Sequence, residues 1–528
     1  MGACRHPPPE DLASRFPAGA HPKVKQRPVA ATAVVCLGLY LLGMDLTIVN
    51  VAIPSLQSQL KPSMAEVQWI VAGYGLALGG TVLTAGAVTD RIGRQRAFVI
   101  GLTICGVASA VGALAATPGE VVGARCGMGA GAALLMPATL SIITDLFHEP
   151  LRRRRAVAVW GVVGSAGAMT GPVVGGMLVQ HYSWRAGFWI NLPLVVVTVV
   201  LAWFLVPRSG SVQVRRIDVP GATLSGVGLL LLVWALVEAP TKGWRGPPVV
   251  IAGLAAMLAL VAFVFWQSRS AQPMLPLAAL RDIRLSAGAA ALALLTFTVI
   301  GALFVLTLYL QGVLGYTPWQ AGVRTLPLTA AMGAGALAAL PVLSRGGKKA
   351  TIVLGLMFVT AAFVVLAGTA ADSGYPRLLA FQLAAGFGTG LVGLAGTEAV
   401  MSSVPPGRAG LGSAINDATR QVGAALGIAV QGSLLTTFYR SYLRDELAPD
   451  QLQPAQLRML TDGPPGALRA PSRLPSYAQH YLYDAVRTAF TKAMSATALA
   501  VCMVTLSATA TAVALSWLLH ARRQRLVS

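Results

Sequence analysis

The feature that most constrains this chain is a rhythm. Apolar runs of about 20 residues, each long enough to cross a bilayer as one helix, recur from residue 30 to residue 519 with short polar breaks between them. They fall at 30–51, 67–87, 97–116, 121–146, 156–179, 186–206, 221–238, 248–266, 286–310, 324–342, 351–370, 378–403, 411–437 and 494–519. One such run can hide inside a soluble core, but a series of them needs a non-aqueous solvent. Only 11% of the residues are charged, against about 25% in soluble domains, and the mean hydropathy is +0.67. The expected fold class is an all-α integral membrane bundle of about fourteen spans.

A net charge of +21 could suggest nucleic acid as a partner, but position argues otherwise. Lys and Arg sit in the breaks, not on one amphipathic face. Alternate loops carry Arg91, Arg94 and Arg96; Arg152 to Arg155; Arg208, Arg215 and Arg216; Arg269, Arg281 and Arg284; and Arg345, Lys348 and Lys349. With both tails and Arg408 these hold about 25 basic residues, against about six in the opposite short loops, so both termini are expected in the cytoplasm. The first run has no A-x-A site and reads as an uncleaved first span after a basic tail. The cysteines form no CxxC pair, and no predicted span contains a histidine, so neither a disulfide framework nor a metal site is expected.

A weak internal repeat divides the chain. Arg91-Ile92-Gly93-Arg94 follows the second span, and Arg345-Gly346-Gly347-Lys348 follows the tenth. Arg125-x-x-x-Gly129-x-Gly131 has a looser echo in Gln382-x-x-x-Gly386-x-Gly388. Two parallel halves are a known transporter architecture. The expected layout is a cytoplasmic tail at 1–29, a six-helix half at 30–206, two additional helices with linkers at 207–285, a second six-helix half at 286–519 with a long extracellular loop at 438–493, and a cytoplasmic tail at 520–528. A short interfacial helix is expected around Tyr481–Phe490 within that loop.

The ionisable residues inside spans carry the functional expectation, because each costs about 2.5–3.5 kcal/mol to insert and so faces a bundle interior or a wet cavity. Asp45 lies in the first span, Arg125 in the fourth and Glu398 in the twelfth. Asp45 is expected to load and release a proton, Arg125 to meet a carboxylate or carbonyls, and Glu398 to join the coupling. Asn50 reads as a link between helices, and Asp417 with Arg420 as a local i, i+3 pair. Gly86-x-x-x-Asp90-Arg91-x-Gly93-Arg94 forms a tight loop, with Asp145 at the end of span four as the expected partner of its arginines in a cytoplasmic latch. Gly167-x-x-x-Gly171-Pro172-x-x-Gly175-Gly176 is a small-residue face with a bend. Trp184 and Arg185, with Phe188, Trp189 and Asn191, read as interfacial anchors.

Together these segments resemble the major facilitator superfamily. Gly86 to Arg96 is similar to its loop signature, Gly167 to Gly176 to the signature associated with antiporters, and Arg125 with Gly129 to its span-four motif, although Met128 stands where that motif usually has Gln. Asp45 to Pro54, Ser183-Trp184-Arg185 with Ile190-Asn191-Leu192-Pro193, Tyr309-Leu310-Gln311 with Gly315-Tyr316, and Gly410 to Gly423 resemble the fourteen-span drug:proton antiporter family. The resemblance implies proton-coupled efflux of small lipophilic molecules across the cytoplasmic membrane, driven by the proton gradient with no cofactor. A monomer in the bilayer is expected, with protons and a small-molecule substrate as its partners. An importer of the same fold and a non-transporting sensor are the rival readings. An enzyme is disfavoured because no span carries a histidine and there is no G-x-S-x-G elbow. Gly346-Gly347-Lys348-Lys349 lacks the spacing of a phosphate loop, which disfavours an ATP-driven pump.

Overall fold

The computed structural model describes residues 28–147, 149–208, 217–275, 277–370, 372–404, 409–447 and 476–525. The described residues form helices and no strand: α1 (Pro28–Leu60), α2 (Met64–Ile92), α3 (Arg94–Leu114), α4 (Pro118–Leu146), α5 (Pro150–His181), α6 (Ala186–Trp189), α7 (Asn191–Leu205), α8 (Val219–Lys242), α9 (Pro247–Arg269), α10 (Leu277–Leu280), α11 (Ile283–Leu308), α12 (Pro318–Arg324), α13 (Leu326–Ala367), α14 (Tyr375–Ser402), α15 (Ala409–Glu446) and α16 (Ser476–Arg525). A π turn, Tyr309–Val313, extends α11.

Among the described residues, 13 helical stretches are long and apolar enough to cross a membrane. One of them, Pro318–Ala367, runs for 50 residues, or about 75 Å of helix against a hydrocarbon core of about 30 Å. It is two passes. Gly347 interrupts it with φ 73°, a left-handed value that a side chain resists. With that division the described residues make fourteen passes, and the chain is a multi-pass membrane protein. Gly93, with φ 93°, makes the equivalent break between α2 and α3.

The arginine-rich loops share one face of the bundle, here the basic face. At the opposite face, three helices begin with reciprocal caps: Ser63 with Glu66 on α2, Thr117 with Glu120 on α4, and Thr317 with Gln320 on α12. Each cap satisfies amide groups that the first helical turn leaves free and stabilises its helix by about 1 kcal/mol.

Packing follows the sequence order. In the first half α1 lies along α5, α2 and α3 lie on α4, and α3 meets α7. In the second half α13 packs along α14, α11 along α15, and α16 against α13 and α15. The two sets meet along α2–α15, α5–α12 and α1–α11. The hairpin α8–α9 sits outside, with α8 resting on both α2 and α15.

Both ends of one expected loop, 438–493, are helix. Residues 438–446 continue α15, and 476–493 belong to α16, including the stretch read as a separate interfacial helix. Burial explains the difference. Val486, Ala489 and Phe490 are fully buried, and the Phe490 ring stacks 6.2 Å from Tyr309 and meets Tyr439 edge-on at 6.5 Å. Lys492 Nζ lies 2.6 Å from Glu446 Oε1 and ties the two helices together. Residues 448–475, and nearly all of the N-terminal tail, lie outside the described residues.

Candidate functional site

Asp45 sits 17 residues into α1 and 15 from its end, so the helix carries it to the middle of the bundle. A carboxylate at that depth needs partners, and the structure supplies them from two helices, α4 and α7. Arg125 Nη1 of α4 donates to Asp45 Oδ2 at 3.0 Å and to the Asp45 carbonyl at 3.3 Å. Arg125 Nε donates to the Ile70 carbonyl of α2 at 3.2 Å. Asn191 Nδ2 of α7 donates to Asp45 Oδ1 at 3.1 Å and to Ser109 Oγ of α3 at 3.1 Å. The Arg125 guanidinium lies over the Tyr74 ring, 4.5 Å from its centroid. The ion pair is shielded from solvent, with side-chain exposures of 1% and 4%. At such burial the cost of dehydrating both charges competes with their attraction, so losing either partner is expensive. One arm of the guanidinium, Nη2, has no hydrogen-bond partner.

The glycine face of α5 sets how close α1 comes. A Cβ at Gly167 would strike the Tyr40 carbonyl, one at Gly171 would strike Thr47 Oγ1 and the Met44 carbonyl, and one at Gly175 would meet Ile48. Thr47 Oγ1 donates to the Ala168 carbonyl at 3.0 Å across this contact. The same motif reaches the other half. Gly176 lies against the Pro318 carbonyl, and the Pro172 carbonyl lies against Gly322 of α12. These α5–α12 contacts lie toward the face opposite the basic loops. So do a 3.1 Å hydrogen bond from Gln311 Nε2 to the Val51 carbonyl and a 3.4 Å one from Ser433 Oγ to Gln68 Oε1.

On the basic face Gly93 ends α2, and Arg94 reaches α4, where it forms an ion pair with Asp145 and donates to the Ser141 carbonyl at 3.2 Å. Asp90 and Arg91 are exposed beside it, and a Cβ at Gly86 would meet nothing within 4 Å.

Glu398 stands apart from the Asp45–Arg125 pair. It lies four residues before the end of α14, with its side chain half exposed, and Lys348 Nζ sits 3.7 Å from its Oε1. Lys348 also donates to Ser402 Oγ at 2.5 Å. The expectation of an intramembrane coupling carboxylate gives way to a basic-face contact, because α14 places Glu398 at the polar end of its span. This contact repeats Arg94–Asp145: a glycine with positive φ, the next residue cationic, and an acid on the fourth helix of the half.

The carboxylate deeper in the second half is Asp417, eight residues into α15, which accepts from Asn416 Nδ2 at 3.3 Å. Thr397 Oγ1 of α14 donates to Asn416 Oδ1 at 3.1 Å. Gln382, the echo of Arg125, is fully buried.

Sequence reasoning placed Asp45 and Arg125 inside spans but did not join them, and it missed Asn191 and Tyr74. Asn191 was read as an anchor because it follows aromatic residues. A signal was available: it opens α7 within Ile190-Asn191-Leu192-Pro193, where a polar side chain at a helix start can turn inward. Trp184 is also no surface anchor. It is fully buried, and its Nε1 donates to Gln59 Oε1 at 3.0 Å.

The Major Facilitator Superfamily profile matches residues 35–428. The tetracenomycin C resistance and export protein of Streptomyces glaucescens is 32% identical over 89% of this chain and 88% of its own length. The multidrug efflux pump LfrA of Mycolicibacterium smegmatis is 31% identical over 91% and 94%, and a puromycin resistance protein of Streptomyces alboniger 34% identical over 78% and 82%. The fold matches a solved bacterial homologue of the human lysosomal transporter Spinster, in an inward-facing, unoccupied conformation, with a TM-score of 0.63 at 16% identity over 92% of this chain and 96% of that one. The profile match over most of this fourteen-pass bundle, and relatives of this kind, show the family: the chain belongs to the Major Facilitator Superfamily, in its drug:proton antiporter branch.

Proposed function

We propose that the protein exports small lipophilic molecules, such as drugs, antibiotics or secondary metabolites, in exchange for protons by alternating access. The observation that carries this reading is the buried Asp45–Arg125–Asn191 cluster, in a chain whose similar relatives are named resistance and efflux proteins. The work is transport, with no covalent chemistry and no cofactor. The positive-inside rule puts the basic face and both termini in the cytoplasm, and the opposite face outside.

The halves that rock are 30–206 and 286–519, with 207–285 as an added pair. The contacts on the outer side, from Gly176 to Pro318 and from Gln311 to Val51, fit a carrier closed toward the outside. A proton reaching Asp45 neutralises the carboxylate and removes the attraction at its 3.0 Å contact with Arg125. Arg125 keeps its bonds to the Ile70 carbonyl of α2 and the Asp45 carbonyl of α1, so the lost attraction loosens α1, rather than freeing it, against the glycine face of α5. Arg94–Asp145 and Lys348–Glu398 serve as paired latches at the cytoplasmic rim, with Asp90 and Arg91 beside the first. The drive suffices: about 2.3 kcal/mol per charge per 100 mV, plus about 1.4 kcal/mol per pH unit.

The test is efflux of ethidium and a panel of antibiotics from energised cells, with and without an uncoupler, for the wild type and Asp45→Asn at equal membrane expression. Uncoupler-sensitive efflux that the variant loses is the expected result. Efflux indifferent to both treatments would remove Asp45 from coupling. Accumulation that falls with the uncoupler would favour import.

A further inference from the structure

Between the ion pair and the outer surface lies a small cavity with room for about one water. Its walls include Asp45, Ile48, Ala52, Arg125 and Trp184, and all of its lining comes from α1, α4, α5 and the α5–α7 connection. No residue of the second half borders it. Two features make it more than a packing defect. Arg125 is 1% exposed, lines the cavity and has an Nη2 without a hydrogen-bond partner. A buried charged donor of that kind is ordinarily satisfied by ordered water. The cavity also points outward. Asp45, Ala52 and Gln59 are seven residues apart on α1, so they lie on one stripe of the helix.

The outer end of that stripe is stoppered. Trp184 closes the cavity and donates from Nε1 to Gln59 Oε1 at 3.0 Å. Arg185 covers the indole at 4.5 Å, donates to Gln59 Oε1 at 3.2 Å, and is pinned to the Ala115 carbonyl at 3.0 Å. Neither Trp184 nor Gln59 touches the seam between the halves in any of these contacts.

We infer that this cavity is a proton-access chamber reaching Asp45 from outside through the first half alone, with the Trp184–Gln59–Arg185 cluster as its gate. One water, held by Arg125 Nη2, passes the proton to the Asp45 carboxylate. The proton route is then separate from the seam between the halves that opens to substrate. The inference rests on the proton-coupling role of Asp45 proposed above.

The test uses purified full-length protein in proteoliposomes, sorted for the basic face inside, with no substrate. A water-soluble carbodiimide and glycine ethyl ester are added outside, and labelling of Asp45 is followed by mass spectrometry. Trp184→Ala is expected to raise the labelling rate about tenfold by removing the gate, and Gln59→Leu a few-fold by untying it. Reagent loaded inside the vesicles should label wild type and variants alike. Equal outside rates in wild type and both variants, with equal thermal unfolding, would overturn the chamber. If Trp184→Ala does not fold, Gln59→Leu decides by the same criterion. Failure of the exporter reading would appear separately, as absent efflux by the wild type, because the labelling needs no transported compound.

Discussion

A guanidinium with 1% of its surface exposed is tolerable only while its partners hold. Arg125 touches a carboxylate, two carbonyls and an aromatic face. Arg125→Ala would strand Asp45 without its counter-charge and is expected to cost about 3–5 kcal/mol of stability, read as a fall in the unfolding temperature of detergent-purified protein. Arg125→Lys keeps the charge but cannot span the Ile70 carbonyl and Asp45 at once, so it should fold better than the alanine variant and still transport poorly. Asn191→Ala removes a donor to the carboxylate, worth about 1.5–3 kcal/mol for a hydrogen bond to a charged group. Its expected signature is weakened efflux with unchanged membrane abundance. An Asn191→Ala variant that transports like wild type would leave Asn191 as packing.

At the scale of elements, α5 works by what it lacks. Gly171 brings the α1 backbone into direct contact, and Gly171→Ala must push α1 away or displace Thr47. The expected cost is about 1–3 kcal/mol, accompanied by loss of efflux, because the surface that must slide is the one distorted. The added hairpin has its own tie. Asp218 caps α8 and accepts from Trp266 Nε1 at 2.8 Å and Gln267 Nε2 at 2.6 Å on α9. Burial alone would raise the Asp218 carboxyl, but these donors and the Gly221 and Met274 amides outweigh it and hold it below the ordinary 3.8. A carboxyl lowered in the folded state stabilises the fold above its unfolded value, and the contribution is lost as pH falls through the folded one. Thermal unfolding followed from pH 6 downward should therefore lose this increment below about pH 4, and Asp218→Asn should flatten that part of the profile. The spans were legible because apolar length is a local property, and so was the Gly93 turn. The ends of α15 and α16 were not, because Tyr439 and Phe490 bury each other across more than 40 residues of sequence. Glu398 does lie within its span, but close to the end of it. Counting residues put it inside a span, and only the helix end and Lys348 show how near it lies to the polar rim.

Across the whole molecule the halves are joined firmly at one face, and this permits a direct check. In a cysteine-free background, Gln68→Cys with Ser433→Cys replaces a 3.4 Å polar contact between α2 and α15. Oxidation should trap the outer side closed and stop efflux, and reduction should restore it. Cross-linking without effect on efflux would mean that this contact does not open in the cycle. The echo between Arg94–Asp145 and Lys348–Glu398 was partly visible beforehand, in the matching loop strings. Of the partner acids, Asp145 was expected at the end of span four, whereas Glu398 was not, since it lies 50 residues downstream of Lys348 and reads as part of a span. The hairpin α8–α9 has a consequence for where greasy molecules meet the carrier. Its first helix covers α2 and α15 together, with Ser433 Oγ donating to the Leu236 carbonyl at 2.7 Å, and the turn after it adds a bond from Trp244 Nε1 to Thr437 Oγ1 at 3.3 Å. A compound dissolved in the bilayer leaflet meets two layers of helix on that flank and one on the other, so the added pair makes the molecule lopsided toward lipid even where its two halves are alike.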